Sequence, residues 1–512
     1  MELYYFSTFA FLLFCFILAK TLKKSGQSNL NLPPGPPPIP ILGNALQLIG
    51  GHTHHILKDL AKKYGPLMHL KIGEVSTIVA SSPEIAKEMF KTHDVLFADR
   101  PSNIVFFKIL SYDYSDIVGS PYGNYWRQLR KISMMELFSQ KRVQSFRSIR
   151  EVEVLNFIKS IGLKEGTKIN LSKEISLLIY AITTRVAFGE KNKDTEEFIR
   201  LFDQLTKATA DPNIADMFPS IKFLHLISRS KYKIEKIHKN FDAISQTILN
   251  HHKDRSVNCK SSSHEANGEQ NKDLVDVLLN IQQRGDFDLP LGDHNVKAVI
   301  FNIFGAGTET SSTTVDWAMC EMIKNSTIMK KAQEEVRKVF NEEGNVDETK
   351  LHQLKYLQAV IKETLRLHPP VPLLVPRECR EQCEIKGYAI PSKARVIVNA
   401  WAIGRDPNYW IEPENFNPDR FFESEVDFRG NSFEYLPFGG GRRICPGITF
   451  ALANIELPLA QLLFHFDWKL FGDETNTDNL DMTESRGLTV RREDDLYLIP
   501  FPYSASSLKG KH

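Results

Sequence analysis

The sequence predicts a mainly α-helical protein with small β-sheets, an α+β body preceded by a single N-terminal transmembrane helix. Three observations lead there. The stretches from Arg150 to His252 and from about Asp293 to Lys324 are helical in pattern. Short alternating runs such as Leu67 to Ile72 and Thr77 to Ala80 read as strands of a small sheet. Leu3 to Ala19 is uncharged and apolar, about the minimum length needed to cross roughly 30 Å of hydrocarbon as a helix.

The chain has 512 residues, 42% of them hydrophobic, and no low-complexity linker divides its middle, so one large domain with an appendage is expected. A formal net charge of +2 and the lack of any nucleic-acid-binding motif argue against a polyanionic partner. Six cysteines in so long a chain make no disulfide framework, and Cys379 and Cys383 are expected as two free thiols.

In chain order, residues 1–19 form the anchor. Only Glu2 precedes the apolar run, while Lys20, Lys23 and Lys24 follow it, which predicts a cytosolic body and an N-terminus across the membrane. Residues 20–44 are a basic, proline-rich linker in which Leu32 to Pro40 is stiff and extended. The body is expected over residues 45–512. His52, His54 and His55 are expected to be solvated rather than metal ligands.

Pro121 to Lys131 opens a helix on which Trp126 and Arg130, four apart, offer an indole N–H and a guanidinium to a single anionic target. His251 to Lys272 is polar without periodicity and reads as a mobile surface loop. Within the long helix that follows, Gly305 and Gly307 each weaken it by about 1 kcal/mol relative to alanine, so an ordinary helix gains nothing from them. Leu354 to His368 is amphipathic and carries Glu363 and Arg366 three apart on one face. Pro369 and Pro370 end it, and Val371 to Arg377 reads as an extended apolar strand.

The run from Phe438 through Gly439, Gly440, Gly441, Arg442, Arg443, Ile444, Cys445 and Pro446 to Gly447 is the most informative of all. Three glycines leave one side clear for a large flat object, and the loop then delivers one cysteine. Thr449 to Leu463 reads as an apolar helix, so that sulfur stands at a helix N-terminus, where the thiolate is favoured.

This run matches Phe-x-x-Gly-x-Arg-x-Cys-x-Gly at every defining position, and through it the chain resembles the cytochrome P450 superfamily. The resemblance implies the P450 fold and a haem b cofactor with Cys445 as axial ligand, since a thiolate enriches the iron in electrons and favours O–O cleavage. Pro446 has no N–H, which leaves Gly447 and Ile448 as donors to the sulfur. Phe438, Gly439, Gly447 and Ala306 are expected against the haem, and Trp126, Arg130, Arg377 and Arg443 on its propionates. Gly305 and Gly307 are expected to let the helix open as an oxygen groove, with Glu309 and Thr310 as the proton-relaying catalytic pair. Glu363, Arg366 and Arg420 are expected to form a buried structural network. Phe106, Ile303, Phe304, Val371, Leu374 and Leu488, with Gly487 and Thr489 beside Leu488, are expected to line a lipophilic substrate pocket.

The same resemblance implies a monooxygenase consuming O2 and taking NADPH electrons through a membrane-bound NADPH–cytochrome P450 reductase, which Lys131 and Arg442 are expected to face. Residues 45–512 would then be the haem-thiolate catalytic domain, on the cytosolic face of the endoplasmic reticulum membrane. Gly50 to Ser82, Ser120 to Leu137 and Lys386 to Gly430 resemble the plant CYP71D group more narrowly, which implies hydroxylation of an aromatic ring in a monoterpenoid indole alkaloid. The alternatives are another indole alkaloid such as ibogamine, a terpenoid, a hydroperoxide rearrangement without oxygen, or a non-catalytic membrane-anchored haem carrier or sensor.

Overall fold

The computed structural model describes residues 30–189, 194–209, 213–260, 272–285, 291–422, 424–472 and 480–503. The expected membrane span at Leu3 to Ala19 and the basic part of the linker lie outside these residues.

The principal helices are α1 (Thr53–Tyr64), α2 (Asn124–Ile132), α3 (Arg147–Gly162), α4 (Leu171–Phe188), α5 (Asp194–Thr209), α6 (Arg229–Lys260), α7 (Leu274–Arg284), α8 (Asp293–Lys324), α9 (Ser326–Phe340), α10 (Lys355–Leu367) and α11 (Ile448–His465). The strands are β1 (Leu67–Ile72), β2 (Val75–Ala80), β3 (Ile169–Asn170), β4 (Arg377–Glu378), β5 (Cys383–Ile385), β6 (Tyr388–Ile390), β7 (Arg395–Val398), β8 (Phe466–Leu470) and β9 (Tyr497–Pro502).

Helix α8 is the axis of the molecule. It is buried on most of its circumference, polar residues such as Asn295, Thr308, Ser311, Thr314 and Asp316 included, and is packed by α4 and α11. α11 is also long and apolar enough to cross a membrane by composition, but most of it is buried in this core. Among the described residues, three small sheets flank the helices, in the orders β1-β2-β7-β4, β3-β9-β8 and β5-β6. β2 pairs antiparallel with β1 from Leu67↔Ala80 to Ile72↔Val75 and parallel with β7, and Ile78, Val79 and Ala80 are fully buried there.

The structure corrects several local expectations. α6 continues to Lys260, so the helix runs well past the His251 boundary of the expected polar loop. The extended strand from Val371 to Arg377 shrinks to Arg377–Glu378, because Pro370, Pro372 and Pro376 have no N–H to give a ladder. Before it the chain turns, with Leu374 N–H donating to the Val371 carbonyl and Leu374 at φ +53°. His54 is buried rather than solvated, while His55 stays half-exposed; both Nε2 atoms meet Glu484 Oε2, at 2.7 and 3.0 Å, and so tie α1 to the C-terminal region. Cys379 and Cys383 are free thiols with their sulfurs 3.9 Å apart.

Candidate active site

A cavity of about 240 Å³ lies between α8 and the cysteine loop. Phe438, Gly439, Arg443, Cys445 and Gly447 line one side of it, and Ile303, Ala306, Gly307 and Thr310 of α8 also line it. Val371 and Leu374, aimed inward by the proline-forced turn, supply part of the wall together with Trp126, Arg130 and Arg377.

The cysteine loop owes its shape to what packs behind it. A Cβ on Gly441, at φ +64°, would stand 2.6 Å from the Phe90 carbonyl, and one on Gly440 would stand 2.8 Å from the Phe90 ring. Only Gly439, at φ +72°, faces the cavity, so two of the three glycines serve close approach to the neighbouring segment. Cys445 N–H donates to the Phe438 carbonyl, and α11 begins at Ile448 with Gly447 as its cap. Burial pushes the Cys445 thiol up, while a hydrogen bond from the Gly447 N–H and the charge of Arg130 act in the opposite direction.

Behind the loop, Arg366 donates Nε and Nη2 to the two oxygens of Glu363, at 2.7 and 2.8 Å, and Arg420 Nε donates to Glu363 Oε1 at 2.9 Å. Arg366 also binds the carbonyls of Gly404, Pro413 and Asn415. The three expected structural residues thus clamp α10 onto the irregular segment that leads to the cysteine loop.

Along α8 the helical period separates the expected residues. Ala306 and Thr310 share the face toward the cavity, and the Thr310 hydroxyl donates to the Ala306 carbonyl at 2.6 Å. Glu309, one residue away, does not line the cavity. Its carboxylate accepts from Thr206 of α5 and from Thr489, and burial raises its pKa against the opposing charge of Arg491. Phe304 also points elsewhere, packed edge-on to Phe198 with centroids 4.4 Å apart. Phe106 packs on Phe107, Leu488 is 42% exposed, and neither lines this cavity.

The glycines of α8 correct a second reading. The helix is continuous from Asp293 to Lys324, with no opening at Gly305 or Gly307. A Cβ on Gly305 would meet Phe202 Cε1 at 2.5 Å, so its role is to let α5 approach; one on Gly307 would meet Phe450 Cε1 at 3.4 Å.

Sequence reasoning missed Arg100 and Asn302. Both line the cavity, yet neither sits in a recognisable motif. Arg100, Arg377 and Arg443 are all buried. Burial first, then mutual repulsion for the latter two, pushes Arg443 down to about 8 and Arg377 down to about 9; Arg100 is pushed down to about 10 by burial, against the pull of Asp116. Three guanidiniums so close to one another are short of negative charge.

A family model described as cytochrome P450 matches residues 33–497. This chain belongs to the cytochrome P450 family. Among similar proteins, tabersonine 16-hydroxylase 2 of Catharanthus roseus is 90% identical over 100% of both chains. Tabersonine 16-hydroxylase 1 of the same plant is 81% identical over 99% of this chain and 100% of that one. Tabersonine 6,7-epoxidase isoform 1, also from Catharanthus roseus, is 59% identical over 98% of this chain and 99% of that one. In fold, the chain is similar to a zebra fish cytochrome P450 solved with progesterone, with a TM-score of 0.75 and 23% identity over 88% of this chain and 100% of that one.

The protein is therefore a cytochrome P450 monooxygenase, and membership implies haem iron with a thiolate ligand. The cavity fits that group: it offers one sulfur at a helix start, an otherwise largely apolar lining, and buried guanidiniums in need of an anionic edge such as two propionates.

Proposed function

We propose that this P450 hydroxylates the aromatic ring of tabersonine at position 16. The observation that carries the reading is full-length identity of 90% and 81% to two tabersonine 16-hydroxylases, against 59% to an epoxidase named for the same alkaloid. The cavity lined by Ile303, Val371 and Leu374 suits such a lipophilic guest.

In this reading Cys445 ligates haem b, and the Gly447 N–H tempers the charge on its sulfur. Arg100, Arg377, Arg443, Trp126 and Arg130 would hold the propionates, with Arg100, Arg377 and Arg443 exchanging the carbonyls of Val375, Gly440 and Ala98 for carboxylates. Phe438, Gly439 and Ala306, which line the cavity, would pack against the bound haem. Bound haem supplies the insertion of one oxygen atom from O2, with the other leaving as water. The Thr310 hydroxyl delivers protons from the α8 face of the cavity, and Glu309, outside the cavity wall, exchanges protons with the α5 side.

Electrons come from NADPH through NADPH–cytochrome P450 reductase, docking on the face that carries Lys131 and Arg442. Arg442 is half-exposed, with its Nε 3.4 Å from Asp94. The endoplasmic reticulum membrane is the proposed location. Supporting it, Phe223, Leu226 and Ile227 stand exposed on one short helix, whose neighbour Ser220 is bound to Glu74 beside the β1–β2 turn and near the exposed Ile41.

The test is incubation of microsomes holding the chain and a reductase with tabersonine, NADPH and oxygen. The expected product gains one oxygen at ring position 16 by NMR. An epoxide, another ring position or no product overturns the substrate assignment.

A further inference from the structure

Two residues of the loop ahead of α2, Ile117 and Val118, form part of the cavity wall, and every polar group of their backbone is claimed. Their N–H groups, at 3.1 and 3.3 Å, both donate to Oδ1 of Asn302 on α8. The Ile117 carbonyl accepts from Trp126 Nε1 and Arg443 Nη1, and the Val118 carbonyl from Arg100 Nε. Asn302 Nδ2 completes the arrangement by donating to Asp116 Oδ2 at 2.7 Å, while Asp116 Oδ1 accepts from the Gly119 N–H.

Asn302 lies four residues before Ala306 and eight before Thr310, on the same stripe of α8. One amide side chain therefore fixes the separation between the oxygen-facing stripe of the helix and the facing wall. On the other side that wall is held by the guanidiniums and indole around the cavity.

We propose that Asn302 is a positioning residue, holding Ile117 and Val118 in register with α8 and so setting which part of a bound substrate is presented for oxidation. Without its amide, the Ile117 and Val118 N–H groups lose their acceptor and the buried Asp116 carboxylate loses one of its donors, and the loop moves to find others. A shift of about 1 Å in a wall that orients the reacting group is enough to cost on the order of a hundredfold in rate. Positional selectivity is more sensitive still, because competing carbons of one substrate are separated by only small energies. The inference rests on the monooxygenase activity and uses the proposed substrate as its first probe.

The pairing also dictates its own control. Asn302→Asp keeps the acceptor for both N–H groups but sets a second carboxylate against Asp116. Adding Asp116→Asn returns a donor–acceptor pair with the partners exchanged. The experiment compares wild type, Asn302→Ala, Asn302→Asp and the Asn302→Asp/Asp116→Asn double variant, all full length in microsomes with reductase. Each is normalised to its carbon monoxide difference band, and the readouts are product position and product formed per NADPH consumed.

The expected result with tabersonine is at least a fivefold fall in coupling, or a spread of product positions, in both single variants, with recovery to within twofold of wild type in the double. Unchanged selectivity and coupling in Asn302→Ala overturns the proposal. So does a double variant no better than Asn302→Asp, and that comparison decides alone if Asn302→Ala binds no haem. A wild type that leaves tabersonine unchanged tells only against the proposed substrate. Coupling of the same four proteins is then read with the lipophilic probe 7-ethoxycoumarin, under the same criteria.

Discussion

Glu363 and Arg366 form a two-pronged ion pair in which neither side chain exposes any surface. Three residues apart on one helix, the pair would be worth little in water. Here Arg420 and the Asn417 N–H share the same Glu363 oxygen, and Arg366 spends its remaining donors on carbonyls of the segment leading to the cysteine loop.

Removing the carboxylate leaves two guanidiniums facing a void at the base of that segment. Glu363→Ala is expected to destabilise the fold by about 3–5 kcal/mol, as for other buried pairs broken on one side. It is also expected to abolish the carbon monoxide difference band while the polypeptide is still synthesised. A fully haem-loaded Glu363→Ala protein would refute the structural role.

Gly305 and Gly307 are expected to respond oppositely to alanine. At either position the substitution adds about 1 kcal/mol of helix propensity. At Gly305 the new methyl would lie 2.5 Å from a Phe202 ring that is itself held by Phe301 and Phe241, and overpacking of that kind costs about 1–3 kcal/mol. At Gly307 the nearest atom is at 3.4 Å, tight but able to give. Urea unfolding should find Gly305→Ala less stable than wild type and Gly307→Ala equal or more stable. Equal midpoints for the two variants would show that α5 does not need the close approach.

The His54–Glu484 contact sets an acid limit on stability. Burial lowers the pKa of His54 below its ordinary 6.5 despite the hydrogen bond to Glu484, so the fold holds it neutral while the unfolded chain protonates first as pH falls. Burial tends to raise Glu484, but hydrogen bonds from His54 and His55 outweigh it and hold the carboxyl well below the usual carboxylate range. A depressed acid contributes stability above its unfolded value, about 4.3, and loses it as pH falls toward its folded one. Urea midpoints are therefore expected to decline from about pH 6.5 downward, and more steeply below about 4.5. Glu484→Gln should be less stable at pH 7 and lose the steeper limb, and an unaltered acid profile would sink the assignment. His52, His55 and Arg405 also face this pair, so wild type and Glu484→Gln are compared at matched pH.

The sequence by itself determined the parts that are local in the chain. The place of Cys445 at a helix start, the Glu363–Arg366 spacing, the boundaries of α8 and the Trp126–Arg130 face are set by helical period and by where a helix can begin, which act over a few residues. Tertiary packing decided the rest. Gly305 reads as an opening in the helix until Phe202 is seen against it; Phe304 reads as lining, and Glu309 as the partner of Thr310 in proton relay, until the rotation of α8 turns both toward α5. Arg100 and Asn302 carry no local signature at all. Their partners, the carbonyls of Val118 and Val375 and the N–H groups of Ile117 and Val118, lie as far as 275 residues away and come within reach only when the chain is folded.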